Sequence, residues 1–501
     1  MPLTPGPNLN SVPAAQQQTL ASNYLDFTSG ANDWAQQYLP DLMEKEAEVF
    51  GPRTISGFLN QVGAEEPMTS DQVVWSEQGR LHISLKGNLD ADGTIAGSNG
   101  GLFTVVSDID GNIAGDGFAP ASHGVRTNDT VLVAGNGAVV QCLVTQVSTN
   151  TIELEPYNAA TGDCSAIGDI SDNSCTLLVY GSEFQKGYNY NDASGAATDS
   201  RGANEPTFKS FTNKPIIIKD YYEVSGSDTS RIGWVEVASE AGASGYLWYL
   251  KAEADTRARF TDYLEMSMIE GVTGLDSVAA NDADAFLGQG GNLIGTEGLF
   301  AAIEDRGNVS SGITGVNAAT DLAEFDAILA EFDKQGAIEE NMIFCNRSTS
   351  LAIDDMLASM NSYGAGGTSY GVFENDEDMA LNLGFSGFRR GSYDFYKSDF
   401  RYLNDKATRG SINDAAGASA IRGVFIPAGT STVYDQMLGQ NIKRPFLHVR
   451  YRASQTDDRR MKTWVTGSVG AATSALDAMQ LHFLSERCLV VQGANNFMLL
   501  Q

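Results

Sequence analysis

Cysteine, histidine and basic residues are all scarce in this sequence, and each scarcity excludes something. Five cysteines, Cys142, Cys164, Cys175, Cys345 and Cys488, are scattered without a C-x-x-C pair. An odd number at irregular spacing argues against a disulfide framework and against a zinc site. Cys164 and Cys175 could pair within one loop region; the other reading is free thiols in a reducing compartment. Four histidines, His82, His123, His448 and His482, are far apart in sequence and leave little general-base capacity near neutral pH. Lys and Arg number 32 against 63 Asp and Glu, a net charge of −31 over 501 residues. That balance disfavours sequence-independent nucleic-acid binding, which needs clustered cations. It suits solubility and long-range self-repulsion. An acidic proteome would show it, and so would a protein that encloses DNA without adhering to it.

Long apolar runs are also missing. No window approaches the ~18 unbroken apolar residues that span a bilayer. The opening "MPLTPGPNLNSVPAAQQQTL" has neither a basic n-region nor an apolar h-region, so no secretory signal is expected and folding in a cytosol is.

Catalytic and metal motifs are sparse. The sequence has no P-loop, no H-E-x-x-H and no G-x-G-x-x-G after a strand pattern. "GTSYG" at 367–371 is a literal G-x-S-x-G with Ser369 at its centre. A nucleophile elbow needs a strand before and a helix after, whereas these flanks read as loop. "NLDADGTIAGSNG" and "SDIDGNIAGDG" both hold D-x-D-G, the opening of a calcium loop. The twelfth position is Gly101 counted from Asp90 and Ala119 from Asp108, so the bidentate Glu is absent from both. A weak divalent site at Asp108, Asp110 and Asp116 is one reading; turns that use Asp and Gly for their backbone preferences are the other. No catalytic residue, cofactor or metal is assigned.

What is present reads as an α+β chain, long enough for roughly two to four domains. Pro2, Pro5, Pro7 and Pro13 disfavour an early helix, yet Tyr24, Phe27, Trp34 and Tyr38 make this terminus too apolar for a disordered tail, so it reads as an arm. "QVVWSEQGRLHISLKG" alternates as strands flanking a turn. From about 86 to 180 the chain turns Gly/Asp/Asn-rich with short β runs, and "GNG" at 135–137 reads as a tight turn. Residues 181–226 have β-prone ends around a long polar middle, a loop built for reach. "YLKAEADTRARFTDYLEMSMIEG" predicts one helix over Tyr246–Glu270, about 38 Å long. Tyr249, Ala252, Phe260, Tyr263, Leu264 and Met268 share its apolar face. Glu253→Arg257 and Asp255→Arg259 make i, i+4 pairs, and Gly271 stops it. "GTEGLFAAIEDRG" predicts a shorter helix with Thr296 as cap. "DLAEFDAILAEFDKQG" predicts a helix with Leu322, Phe325, Ile328, Leu329 and Phe332 on one face. "ENMIFCN" reads as a buried strand and "RSTSLAIDDMLASMNSYG" as a helix, followed by glycine-rich loops and further β runs. The last segment, "DAMQLHFLSERCLVVQGANNFMLLQ", reads as a strand, a turn and a short apolar end.

Taken in order, these parts resemble the major capsid protein of tailed double-stranded DNA bacteriophages, the Hong Kong 97-like fold. "WSEQGRLH", "NKPIIIKDYYEVSG" and the tail "LHFLSERCLVVQGANNFMLL" have the same flavour. The resemblance implies an N-terminal arm at 1–50, peripheral-domain strands at 51–85 and an extended loop at 181–226. It further implies a peripheral domain with the spine helix at 227–319, an axial domain at 320–430 and return strands at 431–501. The β-rich stretch 86–180 is an insertion that departs from the minimal family pattern. Implied too are self-assembly into pentamers and hexamers, an icosahedral shell around double-stranded DNA, and synthesis in the host cytoplasm. Scaffold, portal and decoration proteins are the expected partners besides further copies; no membrane is involved. Trp34, Tyr38, Phe184, Tyr188, Phe208, Phe211, Arg257 and Arg259 are the inter-subunit contact candidates; Trp34, Tyr38, Phe208 and Phe211 among them are apolar groups that only a neighbouring copy would satisfy. Lys186, Lys209 and Lys214 lie in the extended loop, but no acceptor identifies a crosslink. The alternatives are a tail tube or baseplate component, which should lack the spine helix, a serine hydrolase using Ser369, and a surface-array or carbohydrate-binding protein, against which the missing export signal speaks.

Overall fold

The computed structural model describes residues 64–92, 100–114, 118–157, 164–184, 186, 208–227, 247–273, 295–336, 338–360, 387–415, 420–435, 440–469 and 472–501. The chain forms two compact units, Val74–Thr212 and the remainder, Met1–Val73 with Asn213–Gln501. The larger begins its described part with β1 (Ala64–Met68).

The core of the smaller unit is a closed barrel. Next to it in sequence stand β2 (Val73–Gln78) and β9 (Phe208–Asn213), which pair with each other. Between them run β3 (Ser84–Asp90), β4 (Gly101–Asp108), β5 (Asp129–Gly135), β6 (Ala138–Ser148), β7 (Thr151–Pro156) and β8 (Ile170–Ser182). Their cyclic order is β3-β4-β7-β6-β5-β8, every pairing antiparallel. Alternation with period two turns Leu85, Leu89, Phe103, Val105, Val131, Val133, Val144, Ile152, Leu154 and Leu177 into one interior. Closure leaves no bare edge. The "GNG" turn is as expected: Asn136 and Gly137 both have positive φ, 51° and 81°, the signature of a two-residue hairpin turn. The register of β3 shifts at Gly87, where a Cβ would come within 2.0 Å of the Thr104 carbonyl oxygen.

Among the described residues the larger unit holds two sheets of five and six strands. The first has the order β1-β18-β20-β10, with β19 also on β20. Its members are β10 (Ile216–Ser225), β18 (Leu447–Arg452), β19 (Lys462–Gly467) and β20 (Ala478–Val491), besides β1. The β-prone end of the predicted 181–226 loop therefore becomes β10, antiparallel to β20 over ten residues. The second sheet has the order β11-β21-β15-β12-β14-β13. Its strands are β11 (Asn308–Ser310), β12 (Glu340–Cys345), β13 (Gly387–Arg390), β14 (Tyr393–Asp399), β15 (Gly423–Pro427) and β21 (Met498–Leu500). A separate pair joins β16 (Thr430–Asp435) to β17 (Gln440–Pro445).

The strands β12, β15 and β21 of the second sheet are buried on both faces, which explains why they read as short apolar runs. Phe344, Val424, Ile426 and Leu499 enter one core, and their neighbours Ile343, Phe425, Met498 and Leu500 enter the other. Six helices complete the unit among the described residues: α1 (Leu247–Glu270), α2 (Leu299–Arg306), α3 (Ala318–Gln335), α4 (Arg347–Met360), α5 (Arg401–Asn404) and α6 (Arg409–Asn413). Helix α3 matches its predicted face: Phe325, Ile328 and Phe332 are buried, with Leu322 and Leu329 packed beside them. Asn317 caps it by accepting from the Thr320 N–H, and Gly336 ends it at φ 73°. Helix α2 corrects one expectation. Its N-cap is Gly298, while the Thr296 hydroxyl bonds instead to Asn213 Oδ1 at 3.2 Å.

Candidate assembly surface

Helix α1 lies where periodicity put it, over Leu247–Glu270. Phe260, Leu264, Leu481 and Phe483 form a cluster with Ile218 packed against it, joining the helix to β10 and β20. The Phe260 and Phe483 rings are 5.7 Å apart and tilted by 31°, a favourable aromatic geometry. One more turn on, Met268 and Ile269 enter the larger core. Tyr263 was expected on the apolar face but is 42% exposed and lies outside that cluster. Gly271 ends the helix: its N–H reaches the Ser267 carbonyl at 3.1 Å. At this negative pole Glu270 accepts from the Tyr402 hydroxyl at 2.8 Å and from Arg409 Nη1 at 2.5 Å, so a cation from α6 offsets the helix dipole. Burial first, then the Glu270 charge, raises the Tyr402 phenol.

The two helix arginines named from sequence behave differently. Arg257 bonds Glu253 at 3.3 Å, the expected i, i+4 pair, and lies 5.9 Å over the Phe483 ring. Arg259, expected to pair with Asp255, is given Asp220 on β10 at 3.2 Å, so it ties helix to strand. Both guanidinium groups stay about half exposed.

Strand β10 alternates between half-buried and exposed along most of its length. Ile217 and Tyr221 stand on its exposed row, 53% and 56% exposed. Tyr221 stacks on His482 (6.0 Å, 29°), and His482 stacks on Trp464 (5.1 Å, 16°). The three share one register line across β10, β20 and β19. Thr466 Oγ1 meets His482 Nε2 at 2.7 Å, and Gln480 donates to Glu223 at 2.7 Å. This aromatic row on the face away from α1 was not read from the sequence, since its members lie far apart along the chain.

At the other edge, β1 runs parallel to β18 and is held by ions. Glu66 pairs with Arg450 at 2.9 Å, and Glu65 with Arg460 at 2.5 Å and Arg487 at 3.6 Å. Arg452 bridges Asp71 and Glu486, and Arg459 also reaches Glu486. Burial pushes the Arg487 pKa down, and Glu65 opposes that shift.

The remaining candidates divide. Trp34, Tyr38 and Tyr188 lie outside the described residues, as does Ser369. Phe208 begins β9. Phe184 is 37% exposed. Phe211 is half-buried and packs on buried Trp75, rings 6.2 Å apart. The D-x-D-G turn holds no open ligand set. Asp110 takes a forked pair of bonds from Arg80, and Asp108 accepts the Asn112 N–H and side-chain amide. Asp116 lies outside the described residues. Among the described residues no group of three or more His, Cys, Asp or Glu could hold a metal ion, and no helix is long and apolar enough to cross a membrane. The five cysteines are buried thiols outside any disulfide. Burial raises Cys345 and Cys488 to about 12 each, and burial lowers His123.

No family model matches the sequence, and no curated protein does. Solved structures do. A structure from Microbacterium phage Oxtober96 is similar at 10% identity over 93% of this chain and 95% of its own, with a TM-score of 0.36. The capsid of a native GTA particle is similar at 9% identity over 95% of this chain and 99% of its own, TM-score 0.35. The mature capsid of bacteriophage PhiM1 is similar at 10% identity over 64% and 79%, TM-score 0.31. At these scores the likeness by itself assigns nothing to particular residues.

Proposed function

We propose that this chain is the major capsid protein of a tailed bacteriophage, a non-catalytic subunit that joins copies of itself into pentamers and hexamers and closes an icosahedral shell around double-stranded DNA. The carrying observation is α1 laid along β10 and β20 at the place in the chain where the Hong Kong 97-like resemblance calls for a spine helix. Three further features support the reading. Strand β10 stands at the end of its sheet's order, with Ile217 and Tyr221 exposed beside the Tyr221–His482–Trp464 row. A ten-residue edge with apolar outward groups is costly for a monomer and useful for association. The module in which β12, α4 and β14 share one core fits an axial domain. The net charge of −31 would keep packed DNA from adhering.

Repeated heterologous contacts of this kind close into rings and then shells, and many modest contacts acting together make the shell stable. Arg257, Arg259, Phe184 and the arm residues Trp34 and Tyr38 are the contact groups of this reading. Scaffold, portal and decoration proteins are its partners, and the host cytoplasm is its site of synthesis. Electron microscopy of the expressed chain, alone and with a co-expressed scaffold, tests it. Five- and six-fold rings or closed shells are expected. A chain that stays monomeric under both conditions at high concentration refutes the proposal, and tubes would reassign it to a tail component.

A further inference from the structure

We propose that Cys142 and Cys164 are an oxidisable dithiol, which closes to a disulfide inside the barrel when the chain meets a peroxide. Their Sγ atoms lie 3.9 Å apart and both side chains are fully buried. Cys142 sits within β6, fixed between Val131 of β5 and Pro156 of β7. Cys164 opens the 3-10 turn Cys164–Ala166, and its carbonyl accepts from the N–H groups of Ile167 and Gly168 at 3.0 and 3.2 Å. Asn136 pins the same turn by donating to the Ile167 carbonyl at 2.9 Å. Room for the Cys164 thiol is made by Gly101, where a Cβ would stand 3.0 Å from both Cys164 Cβ and Sγ. Two sulfurs on rigid, adjacent elements in van der Waals contact need an approach of about 2 Å to reach bonding distance, within reach of side-chain torsion.

Cys175 is the competing partner, and the one the sequence suggested. Burial, and then its closeness to Cys164, raise it to about 11, but the close sulfur contact, 3.9 Å, is the one between Cys164 and Cys142. The chemistry balances with hydrogen peroxide as the oxidant. One thiol gives up its proton, and the thiolate attacks a peroxide oxygen, breaking O–O and giving a sulfenic acid and a hydroxide that takes up that proton as water. The second thiol then attacks that sulfur, forming S–S and expelling the second water. Two thiols are oxidised by two electrons and one peroxide is reduced. Complete burial makes the step slow and gated by local opening of the barrel. The chain can thus fold unlinked under reducing conditions, and a later oxidant ties β6 to the β7–β8 connection. This inference stands on the barrel alone and is independent of the assembly reading.

The test treats the full chain with hydrogen peroxide, unfolds it in N-ethylmaleimide and weighs it. Untreated protein should take up five maleimides, one for each cysteine. Treated protein should lose two of them and yield one linked peptide pair joining Cys142 to Cys164, reversed by dithiothreitol. The linked form should melt roughly 10 °C higher in its barrel transition, as a loop of this length predicts. The Cys142→Ser variant should gain neither the link nor the shift. Full labelling after treatment, a Cys164–Cys175 link, or sulfinic acids in place of the disulfide would each overturn the proposal.

Discussion

Replacing Asp354 by Ala should destabilise the larger unit more than most single changes. Lys397 Nζ lies 2.5 Å from Asp354 Oδ1 and 3.0 Å from the Ser350 carbonyl. The two side chains are only 6% and 10% exposed. At an effective dielectric of 20 the Coulomb attraction at that distance is about 6–7 kcal/mol. Most of it offsets the desolvation of both ions, so the intact pair adds little net stability. Removing only the carboxylate is different, because the ammonium remains buried without its counter-ion. The expected cost is about 3–5 kcal/mol. Changing both partners, Asp354→Leu with Lys397→Met, removes the stranded charge and should return stability to within about 1 kcal/mol of the parent. Urea unfolding followed by near-ultraviolet circular dichroism reads both, with the m-value checked for constancy. A single variant costing under about 1 kcal/mol, or a double variant no better than the single one, would show that the ion pair is not buried as described.

Three other outcomes are expected. Gly87→Ala should cost about 3 kcal/mol in thermal unfolding, the upper part of the overpacking range, because the added methyl meets the Thr104 carbonyl rather than a movable side chain; an unchanged melting temperature would contradict the bulge geometry. His123 is buried, with its pKa lowered below 6.5, so the unfolded chain binds a proton that the folded chain refuses. Its contribution is therefore full above about pH 6.5 and is lost as pH falls from there toward the folded pKa, and His123→Asn should flatten the melting temperature between pH 7.5 and 5.5. Deleting residues 1–45 spares β1 and its ion pairs to Arg450, Arg460 and Arg487, so the chain should fold yet fail to build shells; normal shells from that variant would remove the arm from the assembly reading.

Local pattern made the helices legible. Phe325, Ile328 and Phe332 recur at the helical period, so α3 was readable with its buried face. The same periodicity placed α1 but could not say that Tyr263 stays exposed, since that depends on what packs against the helix. The hairpin turn at Asn136–Gly137 was readable because positive φ at both positions restricts the residue types. Phe211 could not be resolved: a lone aromatic in a β-prone stretch looks the same whether it packs on Trp75 or on another chain. The D-x-D-G turn was ambiguous for a similar reason. Whether its carboxylates are open depends on Arg80, thirty residues away from Asp110.

By itself, then, the sequence determined the acidic character, the positions of helices α1 to α4 and the β-rich nature of the stretch before the long helix. Each follows from composition or from contacts between residues a few positions apart. Tertiary structure alone decided that the inserted strands close into a barrel, that Ala64 pairs with His448, and that Tyr221, His482 and Trp464 stack in one row. Strand partners are chosen by which apolar faces can be buried together once the whole chain has collapsed. A one-residue slip would turn every side chain to the opposite face, so that choice is sharp, but the information that makes it is spread over segments far apart in the chain.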